Sequence, residues 1–338
     1  MAHPKQYTAF AFTEKGGKLQ KISVDWKDPQ EGEVVVKVLA CGVCGSDEFV
    51  ENVAFPFINL PTVPGHEIVG EVVAVPQSEK LWKIGQRVGS GWHGGHCLTC
   101  DTCRSGIFNL CDNVAINGVS RDGGYAEYAT LRSEALLPIP EDMSPSEAAP
   151  LLCAGVTTYN SLRHMDVKPG DLVVVQGIGG LGHLAIQFAN KMGYRTVALS
   201  SSADKQDLAK RLGAAHYIDG SQEDIAQALQ KLGGAKVIVY TSQSSSMLES
   251  MIGGLAIDGQ LLILGFPEAT PLYLPSLIGK RASIRGWPSG TPRDSEETID
   301  FAKFAGVKCM VQEFPLEKVQ EAYDNRAKAR FRGVIVPK

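Results

Sequence analysis

The sequence predicts an α/β chain of two domains, one built on a mostly antiparallel sheet and the other on a doubly wound parallel sheet. Three observations carry that expectation. With 338 residues and 44% apolar content, the chain has room for about two domains with substantial cores. Its texture changes near residue 153, from Gly- and Pro-rich segments with short β-type runs to continuous apolar runs alternating with helical patterns. A G-x-G-x-x-G stretch lies between one such run and one such helix.

The elements follow in order. EVVVKVLA, EIVGEVVAV and GYAEYATL, separated by long loops, read as strands of an antiparallel sheet. SPSEAAPLLCAGVTTYNSL comes next, with Ser144 and Ser146 as candidate helix N-caps. DLVVVQG, TVALS, HYID, KVIVYT, QLLILG and ASIRGW then alternate with helical segments such as ADKQDLAKRLG and SSMLESMIGGLA. Uninterrupted apolar runs need cover on both faces, which crossover helices supply, so residues 154–287 are expected to form the parallel domain. SEETIDFAKFAG and LEKVQEAYDNRAKA have amphipathic helical patterns, and RGVIVP reads as a last strand. Residues 288–338 are therefore expected to rejoin residues 1–153.

The balance of 37 acidic against 33 basic residues gives a net charge of −4, without the broad basic surface that phosphate backbones require. Nucleic acid is not an expected partner. The start MAHPKQYTAF lacks the apolar core of a signal peptide, and no window reaches the roughly 18 apolar residues of a membrane span. A cytoplasmic location away from the membrane is expected. There, the eight cysteines read as metal ligands or buried thiols rather than disulfides.

In VVVQGIGGLGHLAIQFA, Gly177 permits a tight turn, Gly179 lets the backbone approach a pyrophosphate, and Gly182 allows close helix packing. Gly180 and Leu181 complete the turn, and the helix N-terminus faces the phosphates. Thr241 and Gly265, at the ends of KVIVYT and QLLILG, count among the expected cofactor contacts. The plain alternative is a glycine-rich turn that binds nothing. An NAD site wants a carboxylate roughly 20 residues on, which would repel a 2′-phosphate. Here VALSSSADK puts Ser200 in that place, followed by Ser201, Ser202 and Lys205, so NADP(H) is expected. Otherwise Ser201 to Asp204 simply form a capped turn opening the next helix.

HCLTCDTCRSGIFNLC spaces Cys97, Cys100, Cys103 and Cys111 as C-x2-C-x2-C-x7-C. Four thiolates on short turns can close around one ion in the tetrahedral arrangement of structural zinc, leaving no open position; an iron-sulfur cluster is the rival. A catalytic zinc instead needs three protein ligands and an exchangeable fourth position. Cys44, His66 and Cys153 could supply it, although their separations of 22 and 87 residues form no local pattern. By residue type alone, His66 could be a loop histidine and Cys153 a buried small hydrophobe.

The ordered set GVCGSD, PGHEIVG, the four-cysteine cluster, LLCAGVTTY, GIGGLG and RFRGVIVPK resembles the zinc-containing medium-chain alcohol dehydrogenases over nearly the whole chain. LLCAGVTTYNSL, GIGGLGHLAIQFA and VALSSSADK are most similar to the cinnamyl alcohol dehydrogenase-like branch, which commonly uses NADPH to interconvert aldehydes and primary alcohols. The resemblance implies a GroES-like catalytic domain carrying a structural-zinc lobe at about residues 93–112, and a Rossmann cofactor domain. It implies Cys44, His66 and Cys153 as catalytic zinc ligands, with Glu67 beside the metal. Ser46 matches the hydroxyl that hands on the proton, and Asp47 the carboxylate that fixes the His66 tautomer; the plain alternative for both is a capped turn. Thr157 matches a residue behind the nicotinamide, and Arg332 an arginine reaching the pyrophosphate.

Two departures stand out. Phe49 occupies the place where many relatives carry the outer histidine of the proton relay, and Gly45 the place of a His or Arg contacting phosphate. GVCGSD also occurs in zinc polyol dehydrogenases, but Cys153 argues against them, since they usually have a carboxylate there. Phe55, Phe57 and Trp92 lie in loops that line the pocket in relatives, which suits aromatic or medium aliphatic aldehydes. A reading of another class is a non-catalytic zinc- and NADPH-binding redox sensor. By the same resemblance, ASIRGW is expected to pair with its copy in a homodimer.

Overall fold

The computed structural model describes residues 3–326 and 331–338. Its strands are β1 (Gln6–Phe12), β2 (Leu19–Asp25), β3 (Glu33–Gly42), β4 (Glu67–Ala74), β5 (Arg87–Ser90), β6 (His93–Gly95), β7 (Ala115–Ile116), β8 (Tyr128–Arg132) and β9 (Leu137–Pro138). They continue as β10 (Leu172–Gln176), β11 (Arg195–Ser200), β12 (His216–Asp219), β13 (Ala235–Tyr240), β14 (Leu255–Ile263), β15 (Ser283–Gly286), β16 (Val311–Pro315) and β17 (Arg332–Val336). The chain forms two compact units: residues 1–156 with 290–300 and 309–338, and residues 157–289 with 301–308.

In the first unit a seven-stranded sheet has the order β16-β17-β3-β4-β5-β9, with β8 also on β3. Apart from β16–β17, its pairings are antiparallel. β3 lies centrally, and Val34, Val36, Val38, Ala40 and Cys41 are all buried along it. β8 alternates buried with half-buried positions, the pattern of a strand with one face on the core. The last strand does return here, as expected: Val334 and Ile335 of β17 pair with Gly42 and Cys41. Of the tail read as helical before it, Val319–Asp324 forms a helix, and residues 327–330 lie outside the described residues. Ser144 stands at the N-cap of the short helix Pro145–Ala148, without a capping bond from its side chain. Ser146 lies inside that helix, so it is no cap; its hydroxyl donates to Glu313 Oε1 at 2.5 Å.

The second unit is a six-stranded sheet of order β12-β11-β10-β13-β14-β15, parallel throughout. Each strand corresponds to one of the six apolar runs. β10 is buried at every position, as a central strand covered on both faces must be. Burying each of Val173, Val174 and Val175 contributes about 1.5–3 kcal/mol. The helix Gly182–Lys191 covers one face with Leu184, Ala185, Ile186, Phe188 and Ala189. Residues 301–308 go with this unit because Phe301 stacks on Tyr159 at 4.8 Å and the Gln187 amide donates to the Lys308 carbonyl. Chain order reverses between β10 and β13, and ligands bind such sheets at the carboxyl ends of the strands flanking this point.

Candidate active site and metal centres

The four-cysteine lobe is a closed turn system. β6 pairs with β7, which shuts the base of the segment from Cys97 to Cys111. Within it the Cys97–Cys100 turn is tight enough to put Leu98 at φ 62°, and the Cys100 and Cys103 N–H groups donate to the sulfurs of Cys97 and Cys100 at 3.4 Å. Cys111 Sγ lies 3.5 Å from Cys97 Sγ and 3.8 Å from Cys100 Sγ, and all four sulfurs fall within 4.8 Å of one another. The Thr99 hydroxyl and the backbone N–H donors bring Cys97 down to about 5, whereas burial and its sulfur neighbours push Cys103 up to about 12. Such a set resists holding four thiolates until a cation neutralises them, so its donor chemistry fits a tetrahedral soft-metal site.

A second cluster is assembled from distant parts of the first unit. Cys44 precedes the short 3-10 turn Gly45–Asp47; His66 and Glu67 stand where a loop enters β4; Cys153 lies between the turn Ala149–Leu152 and the helix Ala154–Arg163. Ligand atoms from Cys44, His66, Glu67 and Cys153 lie within 4.8 Å of one another. The two sulfurs are 3.9 Å apart. Glu67 pairs in register with Gly42, where a Cβ would sit 1.8 Å from the carboxylate, so only glycine leaves room for that side chain.

The charges in this pocket need an occupant. The Cys153–Cys44 hydrogen bond and the fields of His66 and Arg332 hold Cys44 well below the usual thiol range despite burial, while the same bond and burial hold Cys153 well above it. Burial lowers the His66 imidazole, but the Cys44 and Asp47 charges outweigh it and raise the ring well above its ordinary value. Burial pushes Glu67 up to about 7 against the pull of Arg332. Both His66 ring nitrogens and Glu67 Oε2 are buried without hydrogen-bond partners, Nδ1 having only the ion-pair contact with Asp47. Two sulfurs, an imidazole and a carboxylate oxygen converging with unmatched lone pairs fit a borderline-soft cation such as zinc.

Of the other expected residues, Asp47 Oδ1 lies 3.2 Å from His66 Nδ1, while Oδ2 accepts the Cys44 N–H at 3.0 Å and the Tyr125 hydroxyl at 2.6 Å. Asp47 thus closes the buried Gly45–Asp47 turn as its capping-box acid through the Cys44 N–H, and faces His66 with its other oxygen. Ser46, half-buried, follows Cys44 in the 3-10 turn. Arg332, assigned by resemblance to a pyrophosphate, is buried and pairs its guanidinium with Glu67. A carboxylate enclosed beside a hydrophobic strand needs that counter-charge. Phe55 stacks on Phe57 at 5.3 Å, Phe49 meets Phe55 at 5.2 Å and Trp92 at 6.4 Å, and Trp92 meets the His66 ring edge-on at 4.9 Å. The three expected pocket aromatics and Phe49 thus form one run of ring contacts that meets His66 at Trp92.

In the second unit, Gly177 follows β10 at φ 88°, and a Cβ there would meet Thr241 Oγ1 at 2.6 Å. A Cβ on Gly182 would meet the Gly177 carbonyl oxygen at 1.9 Å, whereas nothing lies within 4 Å of the Cβ position of Gly179. Gly177 thus makes the turn, the Cβ side of Gly179 is open, and Gly182 packs closely under Gly177. Gly180 and Leu181 lead into the helix, and Thr241 Oγ1 donates to the Gln176 carbonyl at 2.7 Å. Ser200 ends β11, and Ser201 and Ser202 lead into the 3-10 turn Ala203–Lys205, which opens the helix Gln206–Arg211; the Ser202 carbonyl accepts the Tyr217 hydroxyl. Gly265 lies just beyond β14, and Thr157 on the helix Ala154–Arg163. Sequence reasoning did not single out Tyr125, Tyr217 or the Glu67–Arg332 pair, because each acts across a long sequence separation.

A Rossmann-type sheet with its glycine turn, together with an antiparallel unit holding a buried thiol–imidazole–carboxylate set, defines the class of zinc-type nicotinamide dehydrogenases. Comparison with known proteins supports that class. Residues 30–141 match the family model of the alcohol dehydrogenase GroES-like domain, and residues 180–304 that of zinc-binding dehydrogenases. The chain is 48% identical over 334 residues to the alcohol dehydrogenase patD of Penicillium expansum, covering 98% of each. Among solved structures it resembles a cinnamyl alcohol dehydrogenase of Sorghum bicolor, with TM-score 0.89, 30% identity and 98% coverage of each chain. It also resembles the cinnamyl alcohol dehydrogenase of Helicobacter pylori complexed with NADP(H), with TM-score 0.88, 25% identity and 98% coverage of each. The chain belongs to the zinc-containing medium-chain alcohol dehydrogenase family, in its cinnamyl alcohol dehydrogenase-like branch. It is thus an oxidoreductase of alcohols and aldehydes.

Proposed function

We propose that this protein is an NADP(H)-dependent zinc alcohol dehydrogenase that reduces aromatic or medium aliphatic aldehydes and oxidises the matching alcohols. The observation that carries the reading is the buried convergence of Cys44, His66, Glu67 and Cys153, with His66 Nε2 and Glu67 Oε2 left unpartnered. Cys44, His66 and Cys153 hold the catalytic zinc with Glu67 at its side, and Cys97, Cys100, Cys103 and Cys111 hold a structural one. When bound, the catalytic zinc and the nicotinamide supply polarisation of the substrate oxygen and the hydride, respectively.

The chain's own residues do the rest. Ser46 Oγ gives a proton to the oxygen of a reduced aldehyde and takes it back in the reverse direction, since a hydroxyl both donates and accepts. The Asp47 carboxylate, 3.2 Å from His66 Nδ1, favours a proton on that nitrogen and leaves Nε2 for the metal. Phe49, Phe55, Phe57 and Trp92 bind the apolar part of the substrate and exclude water. With Phe49 in place of a relay histidine, Ser46 regains its proton from solvent in reduction and returns it there in oxidation, and the exchange is slower than through a histidine. Gly177, Gly179, Gly180, Leu181 and Gly182 receive the pyrophosphate, with Thr157, Thr241, Gly265 and Arg332 as further cofactor contacts. Ser200, Ser201, Ser202 and Lys205 receive the 2′-phosphate; the hydroxyl of Ser200 where an NAD site wants a carboxylate supports this choice.

Residues 1–156 and the segments that rejoin them form the catalytic domain, and the parallel sheet the cofactor domain. The sheet ends at β15, a fully exposed edge strand with Tyr273, Leu274 and Ile278 exposed in the same unit; we read it as the seam of a homodimer. None of the eight cysteines forms a disulfide, which suits a reducing cytoplasm. No helix among the described residues is long and apolar enough to cross a membrane. The test is a panel of aldehydes and polyols with NADPH and NADH: turnover confined to aldehydes and alcohols with NADPH preferred supports the reading. Polyol oxidation with NAD, or no turnover by the zinc-loaded protein, overturns it.

A further inference from the structure

We propose that Tyr125 is a positioning residue for the metal centre, its hydroxyl turning Asp47 so that the carboxylate's second oxygen faces the His66 imidazole. The inference deepens the metal-site reading above and rests on it. Tyr125 is fully buried, and its hydroxyl donates to Asp47 Oδ2 at 2.6 Å. The Cys44 N–H donates to the same oxygen at 3.0 Å. Two donors on Oδ2 fix the carboxylate's rotation and leave Oδ1 3.2 Å from His66 Nδ1. A phenol O–H on an ionised carboxylate is a charge-assisted bond, among the stronger neutral-to-charged contacts available to a buried group.

The backbone sets the reach of that hydroxyl. Gly123, Gly124 and Tyr125 donate their N–H groups to the carbonyls of Val63, Gly65 and Pro64, at 2.7, 2.8 and 3.1 Å. The strip bearing Tyr125 is thus zipped to the strip that ends at His66. Gly65, at φ 96°, lies so close under the ring that a Cβ would approach it to 2.6 Å. A phenylalanine ring would fill the same space, so the hydroxyl is an addition that packing does not require. A buried hydroxyl costs free energy unless it is bonded, and here the bond is spent on the carboxylate that orients a metal ligand.

The experiment uses the zinc-loaded full chain and Tyr125→Phe, which removes one oxygen. We expect chelator-driven zinc loss from the Cys44 site to accelerate roughly 10–100-fold, while zinc in the four-cysteine lobe leaves at the wild-type rate. In cobalt-substituted protein the visible bands of the Cys44 site should shift. Because Tyr125 acts through Asp47, the double variant with Asp47→Asn should lose metal no faster than Asp47→Asn alone. Wild-type rates in Tyr125→Phe, or losses that add in the double variant, overturn the proposal. Should Tyr125→Phe not fold, the Tyr125 hydroxyl proton of the wild type decides: a slowly exchanging resonance that shifts when zinc is removed supports the role, and one indifferent to zinc removal contradicts it. A wild-type chain that retains no zinc at Cys44 would instead refute the metal-site reading itself.

Discussion

At the scale of single residues, the chemistry depends on small substitutions at fixed places. Ser200 is one, since it ends β11 where an acidic residue would favour the unphosphorylated ribose. Ser200→Asp should lower kcat/KM with NADPH by about 100-fold or more, through repulsion of several kcal/mol, and leave NADH less affected; steady-state kinetics with both cofactors checks this. His93 is another, buried behind the lobe with its Nε2 3.3 Å from His96 Nδ1. Burial, helped by the His96 charge, holds His93 down at about 4 from an ordinary 6.5. Between those values the unfolded chain binds a proton that the folded chain does not, so stability present above 6.5 is lost as the pH falls towards 4. The loss attributable to this group is on the order of 3 kcal/mol at pH 4, and denaturant titrations should show a shallower acid loss in His93→Gln. The residue scale is also where the sequence was least legible. Nothing local joins Cys44, His66 and Cys153; they were found by resemblance, and their convergence comes from three separate loops.

At the scale of elements, legibility follows locality. The C-x2-C-x2-C-x7-C spacing is readable because the lobe closes on itself over a few turns, and its N–H donors come from the same segment. The glycine turn was readable for the same reason, being one strand, one turn and one helix. GYAEYATL, by contrast, was read as strand alone; Tyr125 gains its meaning from Val63 to Gly65, about sixty residues earlier, and no periodicity reports that contact. The lobe itself allows a direct prediction. Cys111→Ser should cost one zinc per chain and lower Tm by more than about 5 °C, because metal binding free energy is folding free energy here; metal analysis and calorimetry measure both. An unchanged Tm with the zinc gone would mean that the lobe folds without it.

At the scale of the whole molecule, the two sheets were legible from texture, because a sheet covered on both faces needs continuous apolar runs and a sheet with one wet face does not. Residues 301–308 were less so, since their place depends on Phe301 against Tyr159 rather than on pattern. The exposed edge strand β15 leads to a dimer as the expected state, and sedimentation equilibrium should give twice the chain mass of 36.3 kDa; a monomer at micromolar concentration would refute that seam. The buried Cys44, His66 and Cys153 set is proposed to hold the zinc at which NADPH reduces an aldehyde. Metal content and NADPH oxidation with benzaldehyde, measured side by side on wild type and Cys44→Ala, test it most directly. Two zincs per chain and turnover are expected in the wild type, against one zinc and no turnover in the variant. A Cys44→Ala protein that keeps wild-type turnover would contradict it.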